Sequence, residues 1–266
     1  MSFLDLLRSF EDVRNKKNNC LFGKQIHETE DHLGIIRIFE SRNRRTLTFN
    51  SAFEQSCINL TAPHQLAHQY TRGMVLPTFF YRPEKVLLLG LGGGALVHFL
   101  HHFFPSAEME VVELRAKIIE VAKSHLALPD HPAIRLILQD AHIFIRDALP
   151  EHYDLLLTDL YLSEGMDMRQ ATLSFIRRCA GLLTPSGWLV CNLILPDGIK
   201  YELLQQLAEE FPALYLCNLI EGNAILLGCR ADLTLSAEHL PASPDTTQRE
   251  CGFDVRTYLN RLTRFS

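Results

Sequence analysis

Residues 86–95 read VLLLGLGGGA, and this stretch constrains everything around it. Four apolar residues without alternation predict a strand buried on both faces, and the glycines behind them predict a tight turn into a helix beginning near Leu96. Such a junction suits a nucleotide. Gly90 permits the turn, Gly92 and Gly94 let a ligand approach bare backbone, and the new helix offers unpaired N–H groups and a positive dipole end. Gly90, Gly92 and Ala95 also fit the dinucleotide fingerprint G-x-G-x-x-A, so the rest of the chain has to decide between the two.

Further apolar runs close on acids. MEVVEL ends at Glu113, IRLILQD at Asp140 and YDLLLTD at Asp159, with helical patterns between them. In an open parallel sheet the ligand crevice lies beyond the carboxyl ends of the strands. All of these acids are therefore expected to share one cleft with the glycine turn, Glu113 standing where a carboxylate bonds a ribose diol. A single acid in such a place is ordinarily just solvated; the set in register is what carries the reading.

The end of the alternating unit separates the fold classes. Residues 187–195 (GWLVCNLIL) read as a fifth strand and 199–211 as a fifth helix, after which 213–220 and 223–229 are strands joined only by Glu221-Gly222. That link is too short for a parallel crossover, so the two pair as a hairpin. A dinucleotide dehydrogenase would continue with further crossovers, whereas this pattern resembles the class I S-adenosylmethionine-dependent transferases. The expected fold is α/β: a Rossmann-like, seven-stranded methyltransferase-type sheet of five parallel strands closed by an antiparallel hairpin. Short alternating stretches over 25–60 (QIHETED, GIIRIFES, RTLTFNS) predict a small antiparallel β segment ahead of it, preceded by an amphipathic helix through Phe3, Leu6, Leu7 and Phe10. The expected domains are 1–62, helix and β segment, and 63–266, the nucleoside-binding unit with a C-terminal tail carrying a short helix at 253–262.

Composition narrows the partners. With 47% hydrophobic content over 266 residues the chain can bury a large core, and a net charge of −5 without a Lys/Arg cluster argues against a nucleic-acid surface. No apolar run approaches the ~20 residues of a membrane span. Seven cysteines form no C-x-x-C pair and read as reduced core residues, and the N-terminus lacks a signal-peptide pattern, so a cytoplasmic location is expected. His98, His101 and His102 on one helix, and His64 and His68 four apart, come without H-E-x-x-H or a nearby ligand cysteine, and no metal is expected.

The β segment, VLLLGLGGGALVHFL, VVELRAKIIEVAKSHL, the Gln139-Asp140 turn and YDLLLTDLY, in that order, resemble the spermidine synthase (polyamine aminopropyltransferase) family over most of residues 25–230. That family typically reads GGGDGG, VEID, GDG or GDA, and DSSDPxGPA at these places. The resemblance implies a nucleoside pocket of Gly90, Gly92, Gly93, Gly94, Glu113, Leu114, Asp140 and Ala141, with Gln55 lying over the nucleoside. It also implies a homodimer and a donor that is decarboxylated S-adenosylmethionine or S-adenosylmethionine itself.

Departures fall at the other end of the pocket. The GGGD aspartate that holds the donor amine is Gly93 here, the second DSSD aspartate is Leu162 and the VEID aspartate is Arg115. Aminopropyl transfer needs a neutral amine aligned with the carbon beside a sulfonium, and an alkylammonium with a pKa of about 10 must first give up a proton. Asp159 is the expected base, with Tyr161 and Tyr70 holding the amine; Glu164 or Asp167 is a candidate stand-in for the missing aspartate, but on a polar loop each reads first as solvated. The leading expectation is aminopropyl transfer to a small amine. Without an acid at 93, the helix N-terminus can instead accept the carboxylate of S-adenosylmethionine, which leaves methyl or aminocarboxypropyl transfer open, beside a non-catalytic nucleoside-binding relative.

Overall fold

The computed structural model describes residues 22–49, 54–162, 165–195, 198–220, 222–240 and 246–266. The helix expected through Phe3 and Phe10 lies outside the described residues, as does Glu164.

The early alternating stretches form a four-stranded antiparallel sheet of β1 (Lys24–Asp31), β2 (Gly34–Ser41), β3 (Arg44–Thr48) and β4 (Glu54–Asn59). A short helix α1 (Gln69–Met74) and a 3-10 turn at Leu76–Phe79, started by Pro77, lead out of it. The main unit follows as β5 (Lys85–Leu89), α2 (Ala95–Phe103), β6 (Glu108–Glu113), α3 (Ala116–His125), β7 (Ile134–Leu138), α4 (Ala141–Asp147) and β8 (Tyr153–Thr158). A two-stranded ribbon, β9 (Tyr161–Leu162) with β10 (Gly165–Met166), precedes α5 (Leu173–Leu182), β11 (Leu183–Leu193), α6 (Tyr201–Ala208), β12 (Ala213–Asn218) and β13 (Ala224–Cys229). Short helices α7 (Thr246–Glu250) and α8 (Val255–Leu259) and a strand β14 (Leu262–Arg264) complete the described chain.

The large sheet runs β14-β12-β13-β11-β8-β5-β6-β7. Strands β7, β6, β5, β8 and β11 are parallel, and β13 lies antiparallel to β11. The expected hairpin forms with Asn218 opposite Ala224, closed by the Leu219 N–H on the Asn223 carbonyl at 2.8 Å. The sheet has eight strands rather than the expected seven, because the chain turns after α8 and adds Leu262–Arg264 to the free edge of β12.

Burial on both faces is literal in β5. Val86 and Leu88 pack into one core with α2, α3 and the buried face of the small sheet, while Leu87 and Leu89 pack into a second core with α4, α5 and α6. Arg115 ties the two sheets together. Its Nε and Nη2 donate to Asp31 at 3.0 and 2.8 Å and Nη2 also to the Gly34 carbonyl at 2.7 Å, with the guanidinium over the Phe49 ring. The small sheet is thereby held beside the carboxyl ends of the parallel strands, where it walls one side of a cleft.

Candidate active site

That cleft is a cavity of about 970 Å³, near the top of the roughly 300–1,000 Å³ range of small-molecule sites and large enough for two reactants. Gly90, Gly92, Glu113, Leu114, Asp140, Ala141, Asp159, Tyr161, Tyr70 and Gln55 all line it. Leu162, Gly165 and Asp167 line it too.

The glycine turn works as expected at two positions. Gly90 has φ +95°, and a Cβ on it would stand 2.3 Å from the Asp159 main-chain oxygen, so only glycine lets β5 and β8 end side by side. Gly92, at φ +53°, faces open space. The expectation for Gly93 and Gly94 is corrected, since neither lines the cavity. Gly93 backs onto β4, where a Cβ would meet the Ser56 Oγ at 2.5 Å, and Gly94 is the N-cap of α2, its α-carbon against Leu128. Among the described residues no side chain caps α2 and its first turn holds no acid, so the positive end of the helix opens two residues behind Gly92.

Glu113 is 8% exposed, and its carboxylate accepts the Leu91 and Arg115 main-chain N–H groups at 3.0 and 2.8 Å. Burial raises its pKa above the usual carboxylate value, against the pull of those two donors. Asp140 Oδ1 caps α4 through the His142 and Ile143 N–H groups at 2.6 and 3.3 Å. Asp167 is committed elsewhere: Arg169 grips both its oxygens, His142 lies 3.1 Å away, and its pKa falls to about 2 as these partners outweigh burial. It does not stand in for a second acceptor-binding acid.

Asp159 is held in the cavity floor. Its main-chain N–H bonds the Leu89 carbonyl at 2.9 Å, and its Oδ1 accepts the Asn192 Nδ2 at 2.9 Å. Burial pushes its pKa up to about 6, with the Glu113 charge adding to the rise and hydrogen bonds from Asn192 and Tyr70 opposing it. The Tyr70 hydroxyl also reaches the Gln55 carbonyl at 3.2 Å, and the Tyr161 hydroxyl the Asn192 carbonyl at 3.4 Å. Burial beside Asp159 raises both phenols, so they stay protonated.

Some of this machinery is not foreseen from sequence. Asn192 and Asn223 line the floor, with Asn223 Nδ2 donating to Asn192 Oδ1 at 2.8 Å. Gln170, fully buried, fixes the chain after β8 by accepting from Thr158 Oγ1 at 3.0 Å and donating to the Leu160 carbonyl at 3.0 Å. Glu54 pairs with His68 at 3.4 Å on the opposite wall. A lone asparagine near the end of the apolar run GWLVCNLIL was the signal available for Asn192. Among the described residues no group of three or more His, Cys, Asp or Glu side chains is arranged around a metal position.

No family profile matches the chain. It is 24% identical over 251 residues to the polyamine aminopropyltransferase of Chromobacterium violaceum, covering 91% of this chain and 94% of that one. It is 30% identical over 190 residues to the eEF1A lysine and N-terminal methyltransferase of Danio rerio, covering 67% of this chain and only 27% of the longer relative. A probable spermidine synthase from Corynebacterium glutamicum superimposes with a TM-score of 0.67 at 20% identity, over 78% of this chain and 81% of that one. The chain is thus similar in sequence to a polyamine aminopropyltransferase over nearly its full length, and it shares the methyltransferase-type fold of the spermidine synthases.

Proposed function

We propose that this protein alkylates the nitrogen of a small primary amine with carbon drawn from an S-adenosyl sulfonium. The observation that carries the reading is Asp159: a carboxyl poised near neutrality in the floor of a cavity that also presents Glu113 and the Gly90 turn. A bound donor supplies an electrophilic carbon on sulfur and a neutral thioether as leaving group. Glu113 is suited to its ribose, since its carboxylate already faces the cavity, and Leu114 and Ala141 to its base. An incoming ammonium is attracted by Asp159 and loses its proton to that carboxylate, while the oxygens of Tyr70 and Tyr161 accept its remaining N–H groups.

Donor choice turns on the start of α2, behind Gly92. A donor lacking its carboxylate presents a lone ammonium and gains from an acid at this place, yet Ser56 fills the volume such a side chain would use. The uncapped start of α2 favours a carboxylate instead. We therefore take S-adenosylmethionine as donor and methyl as the group transferred. Aminopropyl transfer from the decarboxylated donor is the second reading, favoured by the near full-length similarity to the Chromobacterium violaceum aminopropyltransferase. Radiolabelled donors offered with a panel of primary amines test both. Label on the amine, lost in Asp159→Asn with donor binding retained, supports alkyl transfer; label on no amine removes it.

A further inference from the structure

We propose that Asn223 is a positioning residue: by holding the Asn192 side-chain oxygen it helps commit the Asn192 N–H to Asp159 and so sets how readily that carboxylate takes a proton. The inference rests on the reading of Asp159 as proton acceptor and adds a residue to it. A side-chain amide can turn about its last bond and present either end to a neighbour. Here two neighbours agree on one orientation: Asn223 Nδ2 donates to the Asn192 oxygen at 2.8 Å, and the Asp159 carboxylate, an acceptor only, takes the Asn192 nitrogen on Oδ1 at 2.9 Å. Both asparagines are buried, Asn192 at 1% and Asn223 at 8% exposure, so water competes weakly for these bonds.

The fold supplies the placement. In the β11 to β13 pairing Leu193 stands opposite Ala224, and Asn223 is therefore the first residue beyond the ladder at the carboxyl end of β11. Its main chain is fixed as well, because its carbonyl closes the β12 to β13 hairpin on the Leu219 N–H. The antiparallel hairpin that ends the sheet thus reaches two strands across to the floor of the site. Asn192 holds Oδ1, and the Tyr70 hydroxyl also hydrogen-bonds the same carboxylate. The charged and titratable groups acting on Asp159 are Glu113 from β6, Tyr70 from α1 and Tyr161 from β9, and Asn192 from β11 is its neutral donor.

The test reads the Asp159 carboxyl itself by ¹³C NMR titration, assigned with Asp159→Asn. Asn223→Asp replaces the donor by an acceptor, which turns the Asn192 amide round and sets its oxygen against Asp159. Asp159 must then hold its proton to higher pH, by about one unit. A new charge at 223 would also raise it directly, so the same substitution is made with Asn192→Ala, where the rise is expected to shrink by more than about half because no amide is left to turn. No change on Asn223→Asp, or an equal change in both backgrounds, overturns the proposal. Should Asn223→Asp not fold, Asn223→Ala removes the donor without adding charge, and an Asp159 titration identical to wild type overturns the proposal there too. These shifts do not depend on catalysis: if they appear and no amine is alkylated, the positioning stands and the transferase reading falls.

Discussion

Gly90 and Asp159 touch through their backbones: a single added carbon at 90 would sit 2.3 Å from the Asp159 carbonyl oxygen, and the Asp159 N–H bonds Leu89, the residue before the glycine. The nucleoside turn and the candidate base are thus one construction, each holding the other in place. Gly90→Ala combines a φ of +95° with this collision and is expected to cost about 1–3 kcal/mol of stability. It should also weaken donor binding, and thermal melts with donor titration check both effects together.

Asp159 with a pKa of about 6 predicts a transfer rate that rises through pH 6 and levels above it, as the carboxylate form becomes the dominant one. Asp159→Asn should lower the plateau by about 10²–10⁴-fold, the usual worth of a general base, with donor affinity little changed. Steady-state rates from pH 5 to 8.5 read both.

The Ser56 side chain occupies the space of any residue at 93. Gly93→Asp alone is expected to destabilise the protein, because the new side chain meets Ser56 Oγ at 2.5 Å. With Ser56→Gly the carboxylate has room, and most of the lost stability should return; because position 93 faces β4 rather than the cavity, donor preference should change little. Thermal melts and competition between the two donors check both.

Arg115 and Asp31 are a buried pair, with 2% and 15% of their side-chain surfaces exposed. The Arg115 guanidinium outweighs burial and holds the Asp31 pKa below its usual value. Removing one charge leaves the other stranded, so Asp31→Asn is expected to cost about 3 kcal/mol or more, and Asp31→Leu with Arg115→Met to recover most of it. Denaturant unfolding of the single and double variants decides this.

Histidine rings pair across separate elements: His27 stacks on His125 and His64 on His102, and His101 lies tilted against His131. Burial first, and the partner ring second, lower the pKa of His64, His101 and His125 in the folded chain. A lowered folded pKa means that the neutral ring is favoured on folding; the stability is fully present above the unfolded value near ~6.5 and is lost as pH falls through the folded one. Melting temperature should drop between about pH 6.5 and 5, and replacing these three histidines by glutamine should flatten that slope.

Much of the site was legible because strand ends and glycine turns write themselves locally. Glu113, Asp140 and Asp159 each close an apolar run, and the cleft they share follows from parallel order alone. Gly93 was misplaced because a glycine says that no side chain is present, not which neighbour fills the space, and Ser56 comes from a strand 37 residues earlier. Asn192 and Asn223 escaped for a related reason, since their role exists only in the pairing of β11 with β13. The eighth strand was hidden in a three-residue segment, too short for any period to register.

The most direct measurement is a pair of calorimetric titrations, with S-adenosylmethionine and with its decarboxylated form, on the same preparation. The account predicts tighter binding of the carboxylated donor, by about tenfold or more, because the uncapped start of α2 meets its carboxylate and no acid stands at Gly93. Tighter binding of the decarboxylated donor would contradict it and restore aminopropyl transfer as the leading reaction.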